Sequence, residues 1–243
     1  MTYCVGLKID RGLVFMSDTR TNAGMDSIST FKKMHVWEEP GERVIVLMSA
    51  GNLATTQAVI SLLDERNKAI GERHATLLET PSMYQTVRLV GDTVKEVIAQ
   101  SSPAGEKADS YFNASFILGG QIKGSAPRLF MIYPEGNFIE STDDTPFFQI
   151  GETKYGKPII IRAYERTMSL AETVKLLLVS FDSTLKSNLS VGLPLDLLFL
   201  EKDAFKVGLK KRISQDDQYY RTISDGWSNA LKTAFASLPD FPG

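Results

Sequence analysis

The 243-residue chain predicts an α+β fold built in four layers: two antiparallel sheets packed face to face, with helices covering both outer faces. Three observations carry this expectation. Four strand-like segments come first, two helical ones follow, and then more strands and more helices, which is not the strict strand–helix alternation of a parallel sheet. Several of the strands are apolar on both sides, as strands inside a covered sandwich must be. The early strands also arrive as hairpins joined by short turns, which makes their pairing antiparallel.

Taken in order, Val5, Leu7 and Ile9 alternate with Cys4, Gly6 and Lys8, and Asp10-Arg11-Gly12 turns the chain into Leu13-Val14-Phe15-Met16. A second hairpin runs from Met34-His35-Val36-Trp37 through Glu39-Pro40-Gly41-Glu42 into Val44 to Met48. After Ala50-Gly51 the period changes. Leu53, Val59, Ile60 and Leu63 are spaced for a helix to about Gly71, and a second helix runs from near Pro81, through Val87, Val90 and Val94, to Ser101-Ser102-Pro103. Strand character returns at Phe112 to Leu118, Arg128 to Tyr133 and Gly136 to Glu140, with Gly119-Gly120 and Pro134-Glu135-Gly136 read as turns. A short helix is expected from Tyr155 to Tyr164. Ser169 and Glu172 form a capping box before a helix whose stripe is Leu170, Val174, Leu177, Leu178, Phe181 and Leu185. Pro194 to Glu201 reads as a buried strand, and about Asp216 to Leu238 as a helix with Trp227, Leu231 and Phe235 on one side. No internal repeat or low-complexity linker divides the chain, so residues 1–243 are expected to form one domain.

Composition excludes several classes of function. Lys and Arg number 27 against 29 Asp and Glu, which leaves no charge field to recruit nucleic acid or an anionic membrane. Cys4 is the only cysteine, ruling out an internal disulfide and a cysteine-based zinc site within one chain. The N-terminus lacks a basic region followed by an apolar run, and no long apolar segment follows, so a cytoplasmic protein without a membrane span is expected. Only His35 and His74 could serve a histidine-based metal site or a Ser-His-Asp arrangement, and both are read as structural or exposed. No phosphate-cradling glycine run occurs. No metal or cofactor is expected.

The remaining chemistry lies in the first 51 residues. Thr2 follows the initiator Met1, and loss of Met1 would leave an amine and a hydroxyl on one residue. An α-amine titrates at about 7.7 to 8.0, so part of it is neutral near physiological pH and can accept the hydroxyl proton. Asp18 and a lysine at position 32 or 33 could supply a buried ammonium that holds those groups' proton affinities down, or could form an ordinary surface salt bridge. Gly51, at a strand-to-helix junction, could donate its N–H to a developing oxyanion or could serve only packing.

In order and spacing, Thr2 opening a hairpin, Ser17-Asp18-Thr19-Arg20 with Ala23-Gly24 after it, Lys33-Met34, and Ala50-Gly51 before a helix resemble proteasome β-type subunits. The likeness extends to Gly151 with Tyr155-Gly156 and to Ser190-Val191-Gly192. More closely, Met1 to Val5, Ser17 to Gly24 and Ser49 to Ala54 are similar to Anbu, the bacterial ancestral β-subunit family. The resemblance implies an N-terminal nucleophile hydrolase with the αββα sandwich, acting on peptides or unfolded chains inside a ring or spiral of like subunits. It makes Thr2 the nucleophile and base, Asp18 the partner of the cation, Lys33 that cation, Gly51 the oxyanion donor and Ser190 a supporting residue. Lys32 rivals Lys33, and Lys33 is preferred because an apolar residue follows it. A substrate pocket near Thr21, Ser49 and Leu53 is also implied, with small Ser49 leaving room for a large side chain. Two positions depart from the family pattern: Glu152 stands where it has a serine, and Ser187 where it has an aspartate. These departures motivate two alternatives, an assembling shell with little peptidase activity and a small-amide hydrolase on the same fold.

Overall fold

The structure is a computed structural model that describes residues 2–22, 28–68, 76–101 and 112–242. The N-terminal hairpin pairs β1 (Tyr3–Ile9) with β2 (Gly12–Asp18), and a short ribbon follows, β3 (Arg20–Asn22) with β4 (Ile28–Thr30). The next hairpin is β5 (Met34–Glu39) and β6 (Arg43–Gly51), and then come helices α1 (Leu53–Lys68) and α2 (Met83–Ser101). Strands β7 (Ala114–Ile122), β8 (Arg128–Ile132), β9 (Phe138–Glu140) and β10 (Phe147–Gly151) precede α3 (Lys157–Ala163) and α4 (Leu170–Ser187). The chain closes with β11 (Leu195–Glu201), β12 (Leu209–Ile213) and α5 (Gln218–Ala236). One sheet has the order β10-β1-β2-β11-β12 and the other β5-β6-β7-β8-β9, with every pairing antiparallel.

Period-2 alternation sorts each strand into two cores. On the first sheet, Cys4, Leu13 and Phe15 face the second sheet and meet Val46, Met48, Ile117 and Leu129 there. The other face of β1 and β2, with Tyr3, Val5, Leu7, Val14 and Met16, packs against Leu177, Leu178 and Phe181 of α4. The outer face of the second sheet, with Ile45, Leu47, Phe116 and Leu118, packs on Val59 and Leu63 of α1 and on Val87, Val90 and Val94 of α2. The predicted α+β sandwich is therefore observed, with α1 and α2 over one sheet and α3 and α4 over the other. The predicted capping box closes α4: Ser169 Oγ accepts the Glu172 N–H while the Glu172 carboxylate accepts the Ser169 N–H. No described helix is long and apolar enough to cross a membrane.

The structure differs from the expected elements at five places. Gly119-Gly120 is no turn but lies buried within β7. A Cβ on Gly119 would come within 2.6 Å of the Phe15 ring, and one on Gly120 within 2.2 Å of the Val44 carbonyl, so close approach is what these glycines provide. Strands β10 and β12 and the β3–β4 ribbon were not anticipated. β12 is an exposed edge strand whose Lys210, Lys211 and Arg212 give no apolar alternation. The expected stripe of α5 is present but uncovered: Leu231 is 50% and Phe235 78% exposed, and this helix instead packs through Tyr220 and Ile223. The expected helix end near Gly71, and His74, Ala23 and Gly24, lie outside the described residues.

Candidate active site

Thr2 precedes β1 and is covered on one side by the end of β10. The β1–β10 register pairs Tyr3 with Gly151, and the next residue, Glu152, donates its N–H to the Thr2 carbonyl at 2.6 Å. Gly151 has φ +85°, and a Cβ there would lie 2.0 Å from the same carbonyl oxygen, so this approach needs glycine. The Tyr3 ring anchors the strand from the opposite face. Its hydroxyl meets Ser180 Oγ at 2.7 Å and accepts from Gln149 Nε2 at 2.5 Å, and burial raises its pKa far above that of a free phenol.

Asp18, at the end of β2, is fully buried and gathers donors from three segments. Its Oδ1 accepts the Tyr3 N–H at 2.9 Å and the Lys33 ammonium at 2.7 Å, and its Oδ2 accepts the Gly192 N–H at 3.4 Å. Burial pushes the carboxyl upward, against the pull of Lys33 and then of the two backbone donors, all of which serve the ionised form. Lys33 also donates to the Arg20 carbonyl at 2.6 Å and is 5% exposed. Of the two candidate lysines, Lys33 is the one that reaches Asp18. Lys32 is exposed.

Gly51 ends β6 at φ +117°, where a Cβ would sit 2.3 Å from the Asn113 carbonyl. Directly after it, Asn52 Oδ1 accepts the Thr55 N–H at 3.0 Å and caps the start of α1. The positive end of that helix therefore opens beside Gly51.

These elements enclose a cleft of about 810 Å³ between β5, the end of β6 and α1. Of the eight residues singled out from sequence, Thr2, Lys33, Gly51, Thr21, Ser49 and Leu53 line it. Asp18 lies behind Lys33. Ser190 is outside the lining: its N–H donates to Asn188 Oδ1 at 3.0 Å, and its hydroxyl has no hydrogen bond among the described residues. The two departures from the family pattern are also located. Glu152 accepts the Asn188 side-chain amide at 2.9 Å and the Lys154 N–H at 2.9 Å, and these bonds, the latter first, hold its carboxyl below the usual carboxylate range. Ser187 turns its hydroxyl back to the Ser183 carbonyl. A chain of contacts thus runs from Thr2 through Glu152 and Asn188 to Ser190.

Lys32, the rival to Lys33, also faces the cleft, and sequence reasoning missed a further part of the lining: Phe31, His35, Thr56, Gln57, Ile60 and Ser61. His35 is in a strand as expected, yet it is half-buried at the site, where burial and then the charge of Lys32 push its imidazole down to about 4. Its place two residues after Lys33 was the available signal, since alternate residues share a face.

Comparison with known proteins bears on the family and the fold. The Proteasome subunit family model matches residues 2–193. The chain belongs to the proteasome-subunit family. Three solved structures of Anbu are similar over the full chain. Anbu from Hyphomicrobium sp. strain MC1 is 55% identical with a TM-score of 0.92, covering 100% of both chains. Anbu from Yersinia bercovieri, described as the ancestral β-subunit, is 49% identical with a TM-score of 0.93, covering 100% of this chain and 99% of its own. The Anbu complex from Pseudomonas aeruginosa, a helical assembly, is 47% identical with a TM-score of 0.91 and the same coverage. No curated protein matches the chain. The TM-scores show that these structures share the fold seen here.

Proposed function

We propose that this protein is a threonine-type N-terminal nucleophile hydrolase acting on peptide or unfolded polypeptide amides. The observation that carries the proposal is the convergence of Thr2, Lys33 and Gly51 on one cleft, with Lys33 held by a buried Asp18 that also fixes the Tyr3 N–H. After removal of Met1, the Thr2 amine takes the proton of its own hydroxyl, and Oγ1 attacks the substrate carbonyl carbon. The Gly51 N–H receives the developing oxyanion, aided by the N-terminus of α1. Collapse breaks the C–N bond, the amine proton leaves with the departing amine, and an ester on Thr2 remains. Water, deprotonated by the same amine, then hydrolyses that ester. The Lys33 ammonium keeps the hydroxyl and amine in their reactive protonation states. No cofactor enters this sequence.

Assembly is part of the proposal. The Pseudomonas aeruginosa relative forms a helical assembly, and a spiral or ring of this chain would restrict access to extended polypeptide, in the cytoplasm. A second reading, an assembling shell with little peptidase activity, is favoured by the Ser190 hydroxyl standing without a hydrogen bond among the described residues and by Ser187 bonding only within its helix. The experiment that separates the two is a peptide-cleavage assay on wild type, Thr2→Ala, Lys33→Ala and Lys32→Ala. With a peptide whose acyl-side residue is uncharged, the hydrolase reading expects cleavage abolished by the first two changes and largely retained in the last. Cleavage absent in wild type, or equal in wild type and Thr2→Ala, favours the shell.

A further inference from the structure

We infer that the cleft beside Thr2 selects an acidic side chain on the acyl side of the scissile amide, with Lys32 as the residue that recognises it. The direction assigned to the substrate rests on the hydrolase reading, but the recognition itself needs no turnover.

The two adjacent lysines are in opposite situations. Lys33 is buried, and its ammonium is committed to Asp18 and to the Arg20 carbonyl. Lys32 lines the same cleft and is exposed; its backbone bonds the His35 ring, while its ammonium makes no ion pair or hydrogen bond among the described residues. No aspartate or glutamate belongs to the described lining. Described carboxylates around the site are engaged elsewhere: Asp18 holds Lys33, Asp64 of α1 accepts the Trp37 indole N–H at 2.7 Å, and Glu152 accepts from Asn188 and Lys154. His35, beside Lys32, is neutral at physiological pH and adds no second charge. Among the described residues, the cleft therefore presents one uncompensated ammonium.

The remaining surface suits a glutamate in both its parts. Phe31, Leu53 and Ile60 supply apolar cover for methylene groups, while Ser49, Gln57 and Ser61 supply hydrogen-bonding groups near a carboxylate. A basic side chain would meet Lys32 with no carboxylate in the described lining to balance it, so discrimination comes from repulsion as well as attraction. Lys32 is open to solvent, so the effect is screened: about two- to fivefold at low ionic strength, less at high.

The test uses the full chain and N-acetylated peptide amides ending in Glu, Gln, Leu or Lys, titrated calorimetrically at low and high ionic strength. The expected result is that Glu binds about two- to fivefold more tightly than Gln. The advantage shrinks with salt, vanishes in Lys32→Ala, and reverses toward the Lys peptide in Lys32→Glu. Equal binding of Glu and Gln peptides to wild type, a preference that survives Lys32→Ala, or no binding of any peptide overturns the inference. In parallel, epoxyketones with the same side chains are followed by intact mass. Failure of all of them to label Thr2 counts against the hydrolase reading alone and leaves the binding preference to be judged by calorimetry. Labelling at one rate regardless of side-chain charge overturns the inference alone.

Discussion

Residues that carry charge in and around the cleft make the most distinct predictions. Lys33 and Asp18 form a buried pair with side-chain exposures of 6% and 0%. Removing the ammonium strands a buried carboxylate, so Lys33→Ala should cost about 3–5 kcal/mol in a denaturant titration. Lys32→Ala, at an exposed position, should stay within about 0.5 kcal/mol. Similar costs for the two would contradict the geometry described for the pair. His35 makes a second prediction, in pH. Its imidazole titrates at about 4 when folded against an ordinary 6.5, so between these values the unfolded chain binds more protons. Stability from this group is complete above 6.5 and is lost as pH falls toward 4. With a partly exposed ring the loss is on the order of 2 kcal/mol. Stability measured across this window in wild type and His35→Gln should show a shallower acid slope in the variant. Parallel slopes would refute it. At this scale the residues alone left Lys32 and Lys33 both open, because a strand inverts its side chains at each step and the residues leading into β5 fix no parity; the preference for Lys33 came from the family likeness. Contact with Asp18 separates them.

Elements were legible where their signal is local. The hairpin turns, the Ser169 cap and the stripe of α4 are written in neighbouring residues, and each is observed. Gly119 shows the opposite case. A glycine pair marks a turn or a close approach equally well, and only Phe15, on the other sheet, distinguishes them. Gly119→Ala should therefore behave as an overpacking change, costing about 1–3 kcal/mol, with Phe15→Leu in the same chain recovering part of the loss. Strictly additive losses in that cycle would show that the two residues do not compete for space. β10 escaped notice because it is five residues long, yet it delivers Gly151 and Glu152 to Thr2. The site could be anticipated as a set of residues but not as a set of neighbours, since Glu152, Asn188 and Ser190 meet only through the folded loops.

For the whole molecule, layer order followed from the grouping of strands and helices, and the family likeness holds across the full chain. What the single chain could not announce is how its outer surface is used. The stripe of α5 has the spacing of a buried face, but Leu231 and Phe235 remain half or more exposed. The proposed assembly predicts a sedimenting species that is a multiple of the 26.9 kDa chain, and a monomer alone at micromolar concentration would contradict it. The central claim is that Thr2 acts with both its amine and its hydroxyl. A peptide epoxyketone reports on both at once, since it closes a ring on an N-terminal residue through those two groups. Intact-mass measurement should find a chain lacking Met1 and carrying one probe on Thr2, with no adduct in Thr2→Ala. A chain that retains Met1 and remains unmodified would contradict the account.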